Sequence, residues 1–237
     1  MNEYTFNFRI TPRVDVDYAF LIAPFDATLR ETTLALKVTA DVADEPRLRE
    51  QADEVARNVA RSLCYELGDG FDLKYQGRHV LRDTGQQSVT VSFNLTVRPA
   101  DFEAREAAER RERQAAQSRI VDLARRETID ANLRDMLEHW SRYAADFDGR
   151  LHPLYDVLQV VERLYGGRKK SAAALSVSET DLNDLGRISN DPSVLNGRHP
   201  GRAQGPHRTA TEAEVNTCER VARSIIENQA AKTLSNR

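Results

Sequence analysis

The chain has 237 residues, 40% of them apolar, enough to bury a sizeable core in one large domain or two smaller ones. With 30% charged residues and a formal net charge of −3, bulk electrostatics draws in neither nucleic acid nor an anionic membrane, so any basic binding surface must be local. No apolar window approaches a membrane span, and no basic segment followed by an apolar run marks a leader; the expectation is a cytoplasmic protein without membrane contact.

Tyr4 to Ile10 alternates apolar and polar residues with period two and reads as a half-buried strand ending at Pro12. Val14 to Tyr18 alternates again, and Phe20 to Phe25 is an apolar patch broken by Pro24. Thr32 to Val42 is rich in Thr, Leu and Val and reads as a further strand. Asp15 and Asp17, two apart on a strand, form a solvated face and lack the loop spacing that a hard cation requires.

From Glu45-Pro46 the period changes. Ala52, Val55, Ala56, Val59, Ala60, Leu63 and Leu67 recur at three and four residues, one apolar stripe on a helix that stops at Gly68. Phe71 to Tyr75 and Val89 to Val97 return to alternation, so residues 1–99 are expected to form a small α+β layer with a helix across a sheet. Cys64 and Cys218 each lie on the apolar stripe of a predicted helix, where a reduced cysteine acts as a small hydrophobe.

Pro99 closes the strand and Asp101 is a suitable N-cap for a polar helix running to Glu127, so residues 100–128 are expected to connect two domains. Ile129 to Phe147 places Leu133, Met136, Leu137, Trp140 and Tyr143 on one side. Leu154 to Tyr165 carries a strong apolar stripe and stops at Gly166-Gly167. Arg168-Lys169-Lys170 then reads as a loop whose charges complement the end of that helix. Ser178 with Asp181 and Thr211 with Glu214 have capping-box spacing and open two further helices. Residues 129–237 are therefore expected to be an all-α bundle, and the whole chain α+β.

Polar chemistry concentrates between those capped helices, where Arg198, His199, Arg202, His207 and Arg208 sit among glycines and prolines. Guanidiniums and imidazoles in such a loop suit a phosphate group. No Gly-rich phosphate loop with Lys follows a strand, no nucleophile elbow appears, and no Cys/His spacing suits zinc, so no cofactor and no metal is expected.

The tryptophan helix flanked by carboxylates, then PLYDVLQVVE, then a capped helix leading to an Arg-His loop, then TATEAE opening a last amphipathic helix, resembles the HEPN superfamily over about residues 129–229, in its Apea-like members from bacterial and phage-defence proteins. The resemblance implies a metal-independent ribonuclease of defence or toxin type, acting as a homodimer, whose signature is Arg, four to six residues, His. Two stretches have that spacing, Arg134 to His139 and Arg202 to His207. On this reading His139 or His199 is general base or acid, with Arg134, Arg198 or Arg202 steadying the phosphate. Arg187, Asn190, Arg202, His207 and Arg208 are the further phosphate-binding candidates. The N-terminal domain would then sense or regulate through a protein partner. The alternative is a non-catalytic module that binds a nucleotide or a protein.

Overall fold

A computed structural model describes residues 2–41, 44–68, 70–81, 115–116, 118–145, 151–198 and 207–235. The fold is α+β: an N-terminal antiparallel sheet is followed by a helical region. The chain packs as two compact units, residues 1–59 with 72–122 and residues 60–71 with 123–237. The strand expected at Val89–Val97, the boundary expected at Pro99 and most of the expected connecting helix lie outside the described residues.

In the first unit, β1 (Asn2–Ile22) lies between β2 (Phe25–Ala40) and β3 (Asp72–Leu81), antiparallel to both. Alternation decides which face is buried: Tyr4, Phe6, Phe8 and Ile10 are almost fully enclosed, as are Leu34 and Leu36 opposite them. The two strands expected on either side of Pro12 are one continuous strand. Pro12 has no N–H to give a ladder, and it sits where pairing with β2 shifts register, between Arg9 and Val14. Glu31, which pairs with Val14 there, takes a left-handed φ of 49°.

Helix α1 (Glu45–Leu67) follows; Leu48, Ala52, Val55, Ala56 and Val59 of its first part are buried, and Arg49 lies 5.9 Å from the Phe8 ring centroid of β1. The Arg49 guanidinium stacks 3.0 Å from the Tyr75 ring centroid and is held by both oxygens of Asp53 at 2.9 Å, while Arg78 of β3 pairs with Glu45. The helix ends where expected, at Gly68, whose φ of 78° lets its N–H reach Cys64 O at 3.0 Å.

The second unit packs the last two turns of α1 with helical residues 118–127 (α2, from 123 onward), α3 (Ala131–Ala145), α4 (His152–Tyr165), α5 (Arg168–Leu175), α6 (Glu179–Asn190) and α7 (Glu212–Ser235). One core runs through it, including Leu133, Trp140, Leu154, Leu158, Leu185, Val221 and Ile225. Trp140 is a packing residue, edge-on to Tyr65 at 5.4 Å and covered by Arg223 at 4.6 Å. Cys64 and Cys218 are free and buried, as their positions on apolar stripes require.

Two helix starts follow their local sequence closely. Ser178 Oγ accepts the Asp181 N–H at 3.4 Å, and Thr211 Oγ1 accepts the Glu214 N–H at 3.3 Å while Glu214 Oε2 accepts the Thr211 N–H at 2.9 Å, a reciprocal capping box. Arg168-Lys169-Lys170 differs from the expected loop: these residues form the first turn of α5, because Gly166 and Gly167, both at positive φ, reverse the chain at once. Arg168 fixes that reversal, donating to Glu162 Oε1 at 2.6 Å and to Asn183 Oδ1 at 3.1 Å against Gly186.

Candidate functional site

The apolar stripe of α4 faces the core and leaves a polar stripe on its other side. His152, Asp156, Gln159 and Arg163 recur at four, three and four residues, the spacing of one helix face, and all four are exposed or half-buried. Packing of α3 beside α4 brings His139 to this stripe. Asp156 Oδ2 then lies 3.7 Å from His139 Nδ1 and 3.4 Å from His152 Nε2, one carboxylate shared by two imidazoles.

The two imidazoles differ in environment. His152 keeps 50% of its side-chain surface in solvent, whereas His139 keeps 19%. Burial pushes the His139 pKa below the usual histidine range and the Arg142 charge adds to that, against the opposing pull of Asp156, Asp135 and Glu138. Its Nδ1 is enclosed and, among the described residues, has no hydrogen-bond partner; Asp156 is near but beyond bonding distance. A neutral imidazole beside a carboxylate, with a second, more exposed imidazole on the same oxygen, is an arrangement that can accept one proton and donate another.

Arg134 takes a different direction from His139. Its Nε and Nη2 donate to Glu127 O at 3.4 and 3.2 Å, which fixes the turn between α2 and α3. Five residues along a helix turn a side chain by about 140°, and the two members of this Arg…His stretch accordingly meet different partners.

Behind that turn lies a buried ion pair. Arg61 Nε sits 2.6 Å from Glu127 Oε2, Ser62 Oγ donates to the other oxygen at 3.2 Å, and Glu127 has no exposed surface. Burial dominates: it raises the Glu127 pKa to about 7 in spite of Arg61, Ser62 and the Arg134 charge. Arg61 also reaches Glu138 at 3.5 Å, which links this pair to α3.

The loop candidates are held at its two ends. Arg198 donates its backbone N–H to Ser189 O at 2.7 Å and lays its guanidinium 4.8 Å from the Tyr155 ring centroid, one residue from Asp156. Asn196 O accepts the Leu151 N–H at 2.7 Å, so the same turn seats the start of α4. At the other end Arg208 makes a bidentate pair with Glu214 at 2.6 and 2.7 Å, which with the Thr211 contacts pulls the Glu214 pKa down to about 2. His207 is exposed, Arg187 pairs with Asp184 at 3.2 Å on the surface, and Asn190 is the half-buried last residue of α6. His199 and Arg202 lie outside the described residues.

The structure thus brings His139 together with two residues that sequence reasoning missed, His152 and Asp156. The signal for them was present: Asp156 interrupts the apolar run PLYDVLQVV, and His152 stands one helical turn before it. Among the described residues, no group of three His, Cys, Asp or Glu side chains could hold a metal ion, and no helix is long and apolar enough to cross a membrane. No family model, no curated protein and no solved structure matches this chain.

Proposed function

We propose that the helical unit is a metal-independent endoribonuclease module of the defence or toxin type, with His139, Asp156 and His152 as its acid–base group. The observation that supports this reading is the single carboxylate oxygen within 3.7 Å of one imidazole and 3.4 Å of another. RNA carries its own nucleophile, the ribose 2′-hydroxyl, so cleavage needs one base and one acid.

Neutral His139, with Nδ1 turned to Asp156, takes the 2′-hydroxyl proton on Nε2. The resulting oxygen attacks the adjacent phosphorus. The bond from phosphorus to the 5′-oxygen breaks, and protonated His152 gives its proton to that leaving oxygen, yielding a 2′,3′-cyclic phosphate and a 5′-hydroxyl. Asp156 orients both rings and stabilises whichever is charged. Closing the His139–Asp156 gap from 3.7 Å to hydrogen-bond distance accompanies substrate binding. Arg198 and the loop it opens are suited to the phosphate, and the resemblance to HEPN proteins adds a dimer regulated by the N-terminal unit.

The competing reading is a non-catalytic module that binds a nucleotide or a protein. It is favoured by Arg134 and Arg208, whose guanidiniums already have partners within the chain. One experiment separates the two: incubation of the protein with total RNA and tRNA in a chelator, beside His139→Ala and His152→Ala. Cleavage that leaves cyclic phosphate ends and is lost in both variants supports the nuclease; intact RNA with the folded wild-type protein supports the binding module.

A further inference from the structure

The polar stripe of α4 does not end at Asp156. It continues through Gln159 to Arg163, and beyond the Gly166-Gly167 reversal come Lys169 and Lys170, all three cations exposed. Residues 163–178 hold four cations and no acid, in a chain whose net charge is −3. The chain has only five lysines, and two of them are adjacent here. Arg168 is committed inward, to Glu162 and Asn183, so its role is to stiffen the reversal while the other three cations face outward. The Lys170 chain folds back over the turn, its Nζ 3.8 Å from where a Cβ on Gly166 would stand.

We propose that this stripe and the Arg163–Lys169–Lys170 turn form the track along which single-stranded RNA is held, an inference that rests on the ribonuclease reading. Arg163 lies eleven positions after His152, about 16 Å along the helix, a distance that a few successive phosphates of one extended strand span. A strand whose scissile phosphate lies at His139 and His152 therefore brings later phosphates over Arg163 and then over the lysine turn. Lysine suits this role: it is a hydrated point charge on a flexible stem, which follows a backbone without reading its bases.

The test is fluorescence anisotropy of a labelled oligouridylate of about twelve nucleotides, a length within ordinary single-strand site sizes, titrated with the full-length His139→Ala/His152→Ala protein across a salt series. Adding Arg163→Gln, Lys169→Gln and Lys170→Gln should weaken binding at least tenfold at low salt. It should also flatten the dependence of log affinity on log salt by about 2, three lost contacts at about 0.7 each, and Lys169→Gln alone by about 0.7. Unchanged affinity and slope, with circular dichroism showing both proteins folded, would overturn the track and leave the nuclease reading standing. No RNA binding by the His139→Ala/His152→Ala protein, together with intact RNA after incubation with the wild type, would overturn both, as would lysine-dependent binding to phosphatidylserine vesicles in place of RNA.

Discussion

Arg61→Met should destabilise the protein by an amount that changes with pH. Glu127 is wholly buried with a pKa near 7 in the folded chain, against an ordinary value of 4.5. Between those values the folded state holds a proton that the unfolded chain has released. Stability from this group is therefore fully present below about pH 4.5 and falls as pH rises through 7. The difference between 4.5 and about 7 corresponds to about 3.5 kcal/mol at about 1.4 kcal/mol per pH unit. Removing Arg61 removes the cation 2.6 Å away that restrains the shift, so the folded value climbs further. The wild type should level off above neutrality, while the variant should go on losing about 1.4 kcal/mol per pH unit. At pH 5, with the carboxyl protonated in the fold, the substitution should cost about 1 kcal/mol, one hydrogen bond. At pH 8.5 it should cost about 3–5 kcal/mol, the range for breaking a buried pair. Urea unfolding followed through the fluorescence of Trp140, the sole tryptophan, buried in the same core, measures both. Parallel stability curves for variant and wild type from pH 5 to 8.5 would refute the reasoning, and Glu127→Gln should flatten the wild-type slope.

Other consequences can be measured as directly. If the acid–base group is as proposed, His139→Ala and His152→Ala should each lower RNA cleavage by about 10²–10⁴-fold, read from single-turnover rates on a labelled RNA. Because the His139 pKa is depressed, the acid limb of the pH–rate profile should fall below the usual histidine range; a limb above pH 7 would exclude His139 as the base. Leu158→Ala, at a fully buried position between helices, should cost about 2–5 kcal/mol in urea unfolding. Glu214→Ala removes the Thr211 capping box and the Arg208 pair together, and should cost about 1 kcal/mol at pH 7, less at pH 2, where the wild-type carboxylate is itself losing its charge.

The α+β class was legible because alternation and helical periodicity are local signals. Tyr4, Phe6, Phe8 and Ile10 give the buried face of β1, and Ala52, Val55, Ala56 and Val59 the buried face of α1. Both capping boxes could be read from four residues each. The continuous path of β1 through Pro12 could not, since it depends on where β2 shifts register. Helix α5 was hidden because three cations look like a loop until the two positive-φ glycines before them are known to reverse the chain. The candidate site was half legible. His139 was singled out by its spacing from Arg134, yet its actual neighbour, Asp156, is seventeen positions along the chain and meets it only through the packing of α3 on α4. The Arg61–Glu127 pair spans sixty-six positions and left no trace in the local pattern.

The way α1 is divided has a practical consequence for anyone who cuts the gene. A fragment starting at Ile129 contains every candidate catalytic and phosphate-binding residue, but it omits residues 60–71, which belong to the same compact unit. With them go Tyr65, whose ring packs on Trp140 and whose hydroxyl bonds Glu227 at 3.2 Å, and Gly70, where Ala145 of α3 approaches so closely that no side chain fits. Such a fragment would expose the tryptophan side of its core and should be recovered as aggregate. A fragment that restores residues 60–71 and α2 ahead of α3 keeps the whole of the helical unit.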